Sequence, residues 1–143
     1  IILQRGDAMN SYYNQNYTEE DINKILEIIK ECIQNNNYTI AMNENRQENI
    51  EFINEYNIRS DRQKSILLQL HTNDFCHTLQ NTKVGYEYEV LYVFVPQVNL
   101  YDANGIEVRV DIYIKINIID TPSGKRVAVN SFNKRKQTTD LFK

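Results

Sequence analysis

Residues 106–119 read IEVRVDIYIKINII. The even positions Ile106, Val108, Val110, Ile112, Ile114, Ile116 and Ile118 are all apolar and β-branched. The odd positions Glu107, Arg109, Asp111, Tyr113, Lys115 and Asn117 are polar or amphipathic, until Ile119 breaks the alternation. Side chains on a strand point to opposite faces in turn, so this stretch predicts one long strand with an apolar face and a chemically equipped one. β-branched residues suit a pleated surface. A slip of one residue would bury Arg109, Asp111 and Lys115, so the register is tightly specified.

Around that strand the chain predicts an α+β domain. Residues 18–21, TEED, give a helix start in which Thr18 caps and Asp21 closes a capping box. Ile22, Ile25, Leu26, Ile29, Cys32 and Ile33 follow at helical spacing, and Asn35, Asn36 and Asn37 end the run. Residues 38–42 read as a short strand, while residues 43–56 fit a short helix or an irregular turn. SDRQ at residues 60–63 is a second capping box, opening a helix with Ile66, Leu67 and Leu70. Residues 71–83 read as a polar connector.

Residues 86–98 read as a central strand, apolar on both faces, with Pro96 near its end. Turns at residues 102–105 and 121–125 then join it to the long strand and to a last strand over residues 126–132. Such short connections predict an antiparallel three-strand meander, plus the short N-terminal strand, packed by two helices. The expected organisation is an arm over residues 1–17 and one domain over residues 18–143. Met9 is the expected natural start, with residues 1–8 as added sequence.

No apolar run approaches the ~20 residues of a membrane-spanning helix, so no membrane partner is expected. The opening IILQRGDAMN lacks a signal-peptide pattern, and a cytoplasmic location is the expectation. The charge is unevenly distributed. Residues 1–108 carry 8 Lys+Arg against 16 Asp+Glu, a balance of −8. Residues 109–143 carry 8 against 3, a balance of +5. A basic C-terminal quarter on an acidic body is a footprint for a polyanion.

The chain has no GxGxxG, Walker loop, CxxC, HExxH or GxSxG. His71, Cys76 and His77 lie close in sequence, but adjacent residues are poor joint ligands, and neither metal nor cofactor is expected. The useful constellation is the polar row of the long strand with the cations at the end of the next one. Tyr113 and Lys115 share a face, and Arg109 and Asp111 continue the row. The antiparallel register brings Lys134, Arg135 and Lys136 toward it. Lys and Arg can hold a phosphate, and Tyr can position or donate a proton. An aromatic among cations on an exposed sheet suits single-stranded RNA. The plainer alternative is a solvated face with cross-strand ion pairs.

The order of short motifs resembles the MqsR-type toxins of bacterial type II toxin–antitoxin systems, small ribonucleases of the RelE-like superfamily. NRQEN at residues 45–49 resembles a polar, arginine-containing motif of that family. RQKSILLQLHTND at residues 62–74 resembles its second helix and acidic connector, and DIYIKI at residues 111–116 its VYIKI strand. Ser131-Phe132 and the terminal LFK resemble its SF strand and PFK-like ending.

The resemblance implies a RelE-like fold and metal-independent mRNA cleavage, in which a ribose 2′-hydroxyl attacks the adjacent phosphate. RNA, a cognate antitoxin and the ribosome are the partners it implies. By position, Tyr113 matches the family's functional tyrosine and Lys115 the lysine beside it. His77 stands where relatives carry a lysine. The chain departs from the family at Asn133, where a basic residue or His follows the SF pair. Lys134 or Arg135 is the expected substitute. The expected site is therefore Tyr113, Lys115, Lys134 and Arg135 for catalysis, with Arg109, Lys125, Arg126, Lys136 and His77 contacting RNA. A non-catalytic RNA- or protein-binding module is the alternative.

Overall fold

The computed structural model describes residues 13–136, so the residues on either side, including the proposed start at Met9 and the LFK ending, lie outside the described chain. In chain order the elements are β1 (Tyr13–Asn14), α1 (Glu19–Gln34), β2 (Tyr38–Ile40), a 3₁₀ turn (Glu44–Arg46) and α2 (Gln47–Glu55). There follow α3 (Ser60–Leu68), a second 3₁₀ turn (Thr72–Asp74), β3 (Phe75–Gln80), β4 (Val90–Phe94), β5 (Gln97–Tyr101), β6 (Glu107–Thr121) and β7 (Gly124–Lys134).

The long strand is β6, and the sheet is arranged around it. The order is β1-β3-β4-β6-β7-β2, with β5 continuing the β4 side of β6. The register places Ile114 between Phe94 on one side and Phe132 on the other. Ile112, Ile114 and Ile116 are fully buried, and so are Ile29 and Ile33 of α1, Leu67 of α3 and Phe132. The apolar row of β6 therefore faces the helices, and truncating any one of these side chains to Ala costs about 2–5 kcal/mol.

α1 forms for the reasons legible in its sequence. Thr18 N–H donates to Asp21 Oδ2 at 3.0 Å, and Asp21 N–H donates to Thr18 Oγ1 at 3.0 Å. Its end is a Schellman motif. Asn36 takes φ +60°, and the N–H groups of Asn36 and Asn37 donate to Ile33 O and Cys32 O.

Several expectations are corrected. The sheet is mixed rather than antiparallel, because β2 pairs in parallel with β7. Three helices pack on it rather than two, since residues 47–55 are helical. The capping box expected at Ser60 is absent. Arg59 occupies the N-cap position, and Gln63 donates its side-chain amide to Ile58 O at 2.8 Å. The connector at residues 71–83 contains β3, which lies between β1 and β4 and has a bulge at Cys76. Polar residues suit it because much of β3 is only half buried. The single strand expected over residues 86–98 begins at Val90 and breaks at Val95-Pro96. Proline cannot donate to the ladder. Val95 N–H turns to Asp74 O at 2.7 Å, and Pro96 O accepts from Ile112 N–H at 3.0 Å.

Candidate functional site

The odd face of β6 meets its neighbours in register. His77 of β3 pairs with Val93, Val93 with Lys115, and Lys115 with Ser131, so these four form one row across four strands. Cross-strand partners share a face, and strands are ~4.8 Å apart, which puts His77 and Lys115 roughly 10 Å from each other. The next row pairs Tyr113 with Asn133. Arg135 N–H then donates to Asp111 O at 2.8 Å, extending the ladder past the end of β7.

A cavity of about 260 Å³ opens on this face, lined among others by Glu48, Cys76, His77, Tyr113, Ser131 and Arg135. The bulge at Cys76 brings two successive β3 side chains to it, and Cys76 Sγ lies 3.1 Å from His77 Nδ1. Lys115 lies next to this cavity, half buried, beside Ser131.

The electrostatics follow from burial and crowding of positive charge. Burial first, and the Arg135 guanidinium second, hold the His77 imidazole below its ordinary pKa. Burial first, and then the charge of Arg46, hold the Lys115 ammonium below its own. Burial raises the Cys76 thiol, with Arg135 acting the other way. At neutral pH the face therefore offers an uncharged imidazole among the cations Lys115, Arg46 and Arg135. That set can accept a proton and hold a phosphodiester.

The other expected residues are placed as follows. Lys136 lines the same cavity and pairs with Glu48 at 3.3 Å. Lys134 also borders it, but its amine leaves for the helix side, 3.8 Å from Glu55 and 5.3 Å from the centre of the Tyr56 ring. The Tyr56 hydroxyl contact, ahead of the other causes, raises its pKa. Lys134 pairs with Ile112, an even position, so parity sends it away from Tyr113. Arg109 donates from Nε and Nη2 to Gln97 Oε1 at 3.2 and 3.0 Å. Arg109 stands four residues from Tyr113, or about 13 Å along β6. Lys125 and Arg126 belong to the opposite hairpin, where Lys125 bonds Asp120 at 2.6 Å. The structure thus gathers Tyr113, Lys115, Arg135, Lys136 and His77, and leaves Arg109, Lys125, Arg126 and the Lys134 amine elsewhere.

Two residues of the NRQEN stretch, given no site role by the sequence reading, lie beside this face. Arg46 lies in the 3₁₀ turn before α2, where no spacing rule points to Lys115. Asn49 had a signal. It shares the i, i+3, i+4, i+7 stripe of α2 with Phe52, Ile53 and Tyr56, a polar residue at an apolar position. It is 1% exposed.

Among the described residues, no group of three His, Cys, Asp or Glu side chains could hold a metal ion. Also among them, no helix is long and apolar enough to cross a membrane. No family model matches the sequence, and no curated protein is similar to it.

Proposed function

We propose that this face binds single-stranded RNA and cleaves it without a metal, as the resemblance to MqsR-type toxins implies. The observation that supports this reading is the convergence of His77, Tyr113, Lys115 and Arg135 on adjacent rows of one sheet face beside a cavity. Neutral His77 takes the proton of a ribose 2′-hydroxyl. The resulting oxyanion attacks the adjacent phosphorus, and the bond to the 5′-oxygen breaks. Lys115, Arg46 and Arg135 hold the phosphate oxygens as charge develops on them. The half-buried Lys115 ammonium, more acidic than an exposed lysine, hands a proton to the departing 5′-oxygen. The products are a 2′,3′-cyclic phosphate and a 5′-hydroxyl. Tyr113 orients the phosphate and stacks on a base. An antitoxin partner, a RelE-like fold and a cytoplasmic site of action belong to the same proposal.

The test is incubation of the protein with a defined mRNA in EDTA, with mapping of the new ends. Wild type should cleave, and Tyr113→Phe, Lys115→Ala and His77→Gln should each lose at least tenfold in rate. Absence of cleavage by wild type, or equal cleavage by all three variants, would sink the nuclease reading. A second reading is an RNA-binding module without turnover. It is favoured by Asn133, whose amide stands where the family carries an acid–base group. That reading requires salt-sensitive RNA binding with no new ends.

A further inference from the structure

The outer edge of β7 is covered by β2 only as far as Val129. There Ala41 N–H donates to Val129 O at 2.9 Å, and the chain turns away into the 3₁₀ turn that carries Arg46. β7 itself runs on to Lys134, with Asn130 as an extra residue opposite the step from Lys115 to Ile116. An uncovered edge with a bulge leaves backbone groups that need partners. The Asn49 side chain supplies them. Its Nδ2 donates to Asn130 O at 3.1 Å and to Ala41 O at 2.9 Å. Its Oδ1 accepts from Phe132 N–H at 2.9 Å and from Asn133 Nδ2 at 2.8 Å. These four bonds use the whole donor and acceptor capacity of a carboxamide.

We infer that Asn49 is the positioning residue of this face, bonding β7 on both sides of Ser131 to fix one wall of the cavity and tying it to the turn that carries Arg46, so that wall and turn address one phosphate-bearing ligand. The identity of that ligand rests on the RNA reading above; the anchoring of β7 does not. A carboxamide is suited to this work because a peptide group has the same donor and acceptor pattern, so Asn49 acts as one further residue of the strand that ends at Ile40. Ala41 O ties the same amide to the start of the turn, three residues before Glu44. A side chain that only filled the core would need neither its two donors nor its two acceptors.

The test uses the full chain and two measurements. The first is amide hydrogen exchange. In Asn49→Ala, Phe132 N–H should exchange at least tenfold faster, while Val127 N–H, which donates to Asn37 O at 3.0 Å, keeps its wild-type rate. Uniform acceleration across β7, or none at Phe132, overturns the inference. The second is the salt dependence of binding to a short single-stranded RNA. Asn49→Ala should flatten the slope of log K against log salt by about 0.7, one phosphate contact. Arg46→Ala should do the same, and the double variant should be no flatter than either. Additive slopes overturn the inference.

Should Asn49→Ala fail to fold, Asn49→Asp carries the test. It keeps both acceptor bonds and loses both donor bonds, so Phe132 stays protected while the Arg46-dependent part of the slope disappears. A wild-type slope in Asn49→Asp overturns the inference. If wild type binds no RNA, the RNA reading falls, and the exchange rates alone decide the anchoring role.

Discussion

Asn133 gives its side-chain amide to Asn49, with Nδ2 donating to Oδ1 at 2.8 Å. It faces Tyr113 across the sheet, yet its polar group is turned to the α2 side of the cavity. Asn133 thus supports the wall rather than exchanging protons with a substrate. Removing it in Asn133→Ala breaks one half-buried hydrogen bond, which lowers stability by about 1 kcal/mol. Cleavage should fall less than tenfold, far less than in Tyr113→Phe. Urea unfolding and single-turnover cleavage, run side by side, check both parts, and a large loss of rate at unchanged stability would place Asn133 in the chemistry instead.

Under the proposed nuclease reading, Lys115 sets stability against function. Burial depresses its pKa, so folding with a charged amine is unfavourable wherever both states are protonated. That penalty is present at neutral pH. It fades only as pH rises from the folded-state value toward the ordinary lysine value of about 10.4. Lys115→Met should therefore stabilise the fold at pH 7 by about 1 kcal/mol while abolishing RNA cleavage. The gain should shrink in alkali. Unfolding midpoints at several pH values test this, and a destabilised Met variant contradicts it.

His77 predicts a pH dependence of the same sign in a lower window. Its folded-state pKa lies below the ordinary value, so the unfolded chain binds its proton first as pH falls. Stability from this group is complete above about pH 6.5 and declines below it. His77→Gln should show a flatter stability profile between about pH 5 and 7 than wild type. Parallel profiles for the two proteins would falsify the assignment.

Lys134 and Arg135 are neighbours with different employment. Lys134 is bound to Glu55 and lies over Tyr56, whereas Arg135 lies close enough for its charge to act on Cys76 and His77. Arg135→Ala should weaken RNA binding and flatten the salt slope by about 0.7. Lys134→Ala should leave that slope alone and lower stability by no more than about 1 kcal/mol, since the pair is exposed. Equal slope changes in the two variants would mean that both amines reach the phosphates.

Glu48 holds Lys136 at 3.3 Å, and under the proposed RNA reading it competes with the ligand for that cation. Neutralising it in Glu48→Gln frees a cation and removes a like charge from the cavity rim. Affinity for RNA should rise several-fold at low salt, and the advantage should vanish as screening grows. Filter-binding or fluorescence titrations across a salt series give the answer, and an unchanged affinity at low salt would separate Lys136 from the binding face.

The sequence by itself determined the parts ruled by local chemistry and by parity. Seven β-branched residues at alternate positions fix β6, its register and the face on which Tyr113 and Lys115 stand. Thr18 and Asp21 fix the start of α1. The sequence reading took Lys134 and Arg135 together, and the register that pairs Lys134 with Ile112 separates them onto opposite faces. Tertiary structure decided what depends on contacts between distant segments. β3 is a strand because β1 and β4 flank it, although FCHTLQ carries too few apolar residues to announce one. Pro96 splits one strand into two because Val95 finds a carbonyl elsewhere. The turn that carries Arg46 is tied to β7 because the carboxamide of Asn49 bonds Ala41 O and completes an edge of that strand more than 80 positions further along the chain. An exposed and a buried asparagine look alike in a sequence, and only the fold shows which backbone groups lack a partner at that edge.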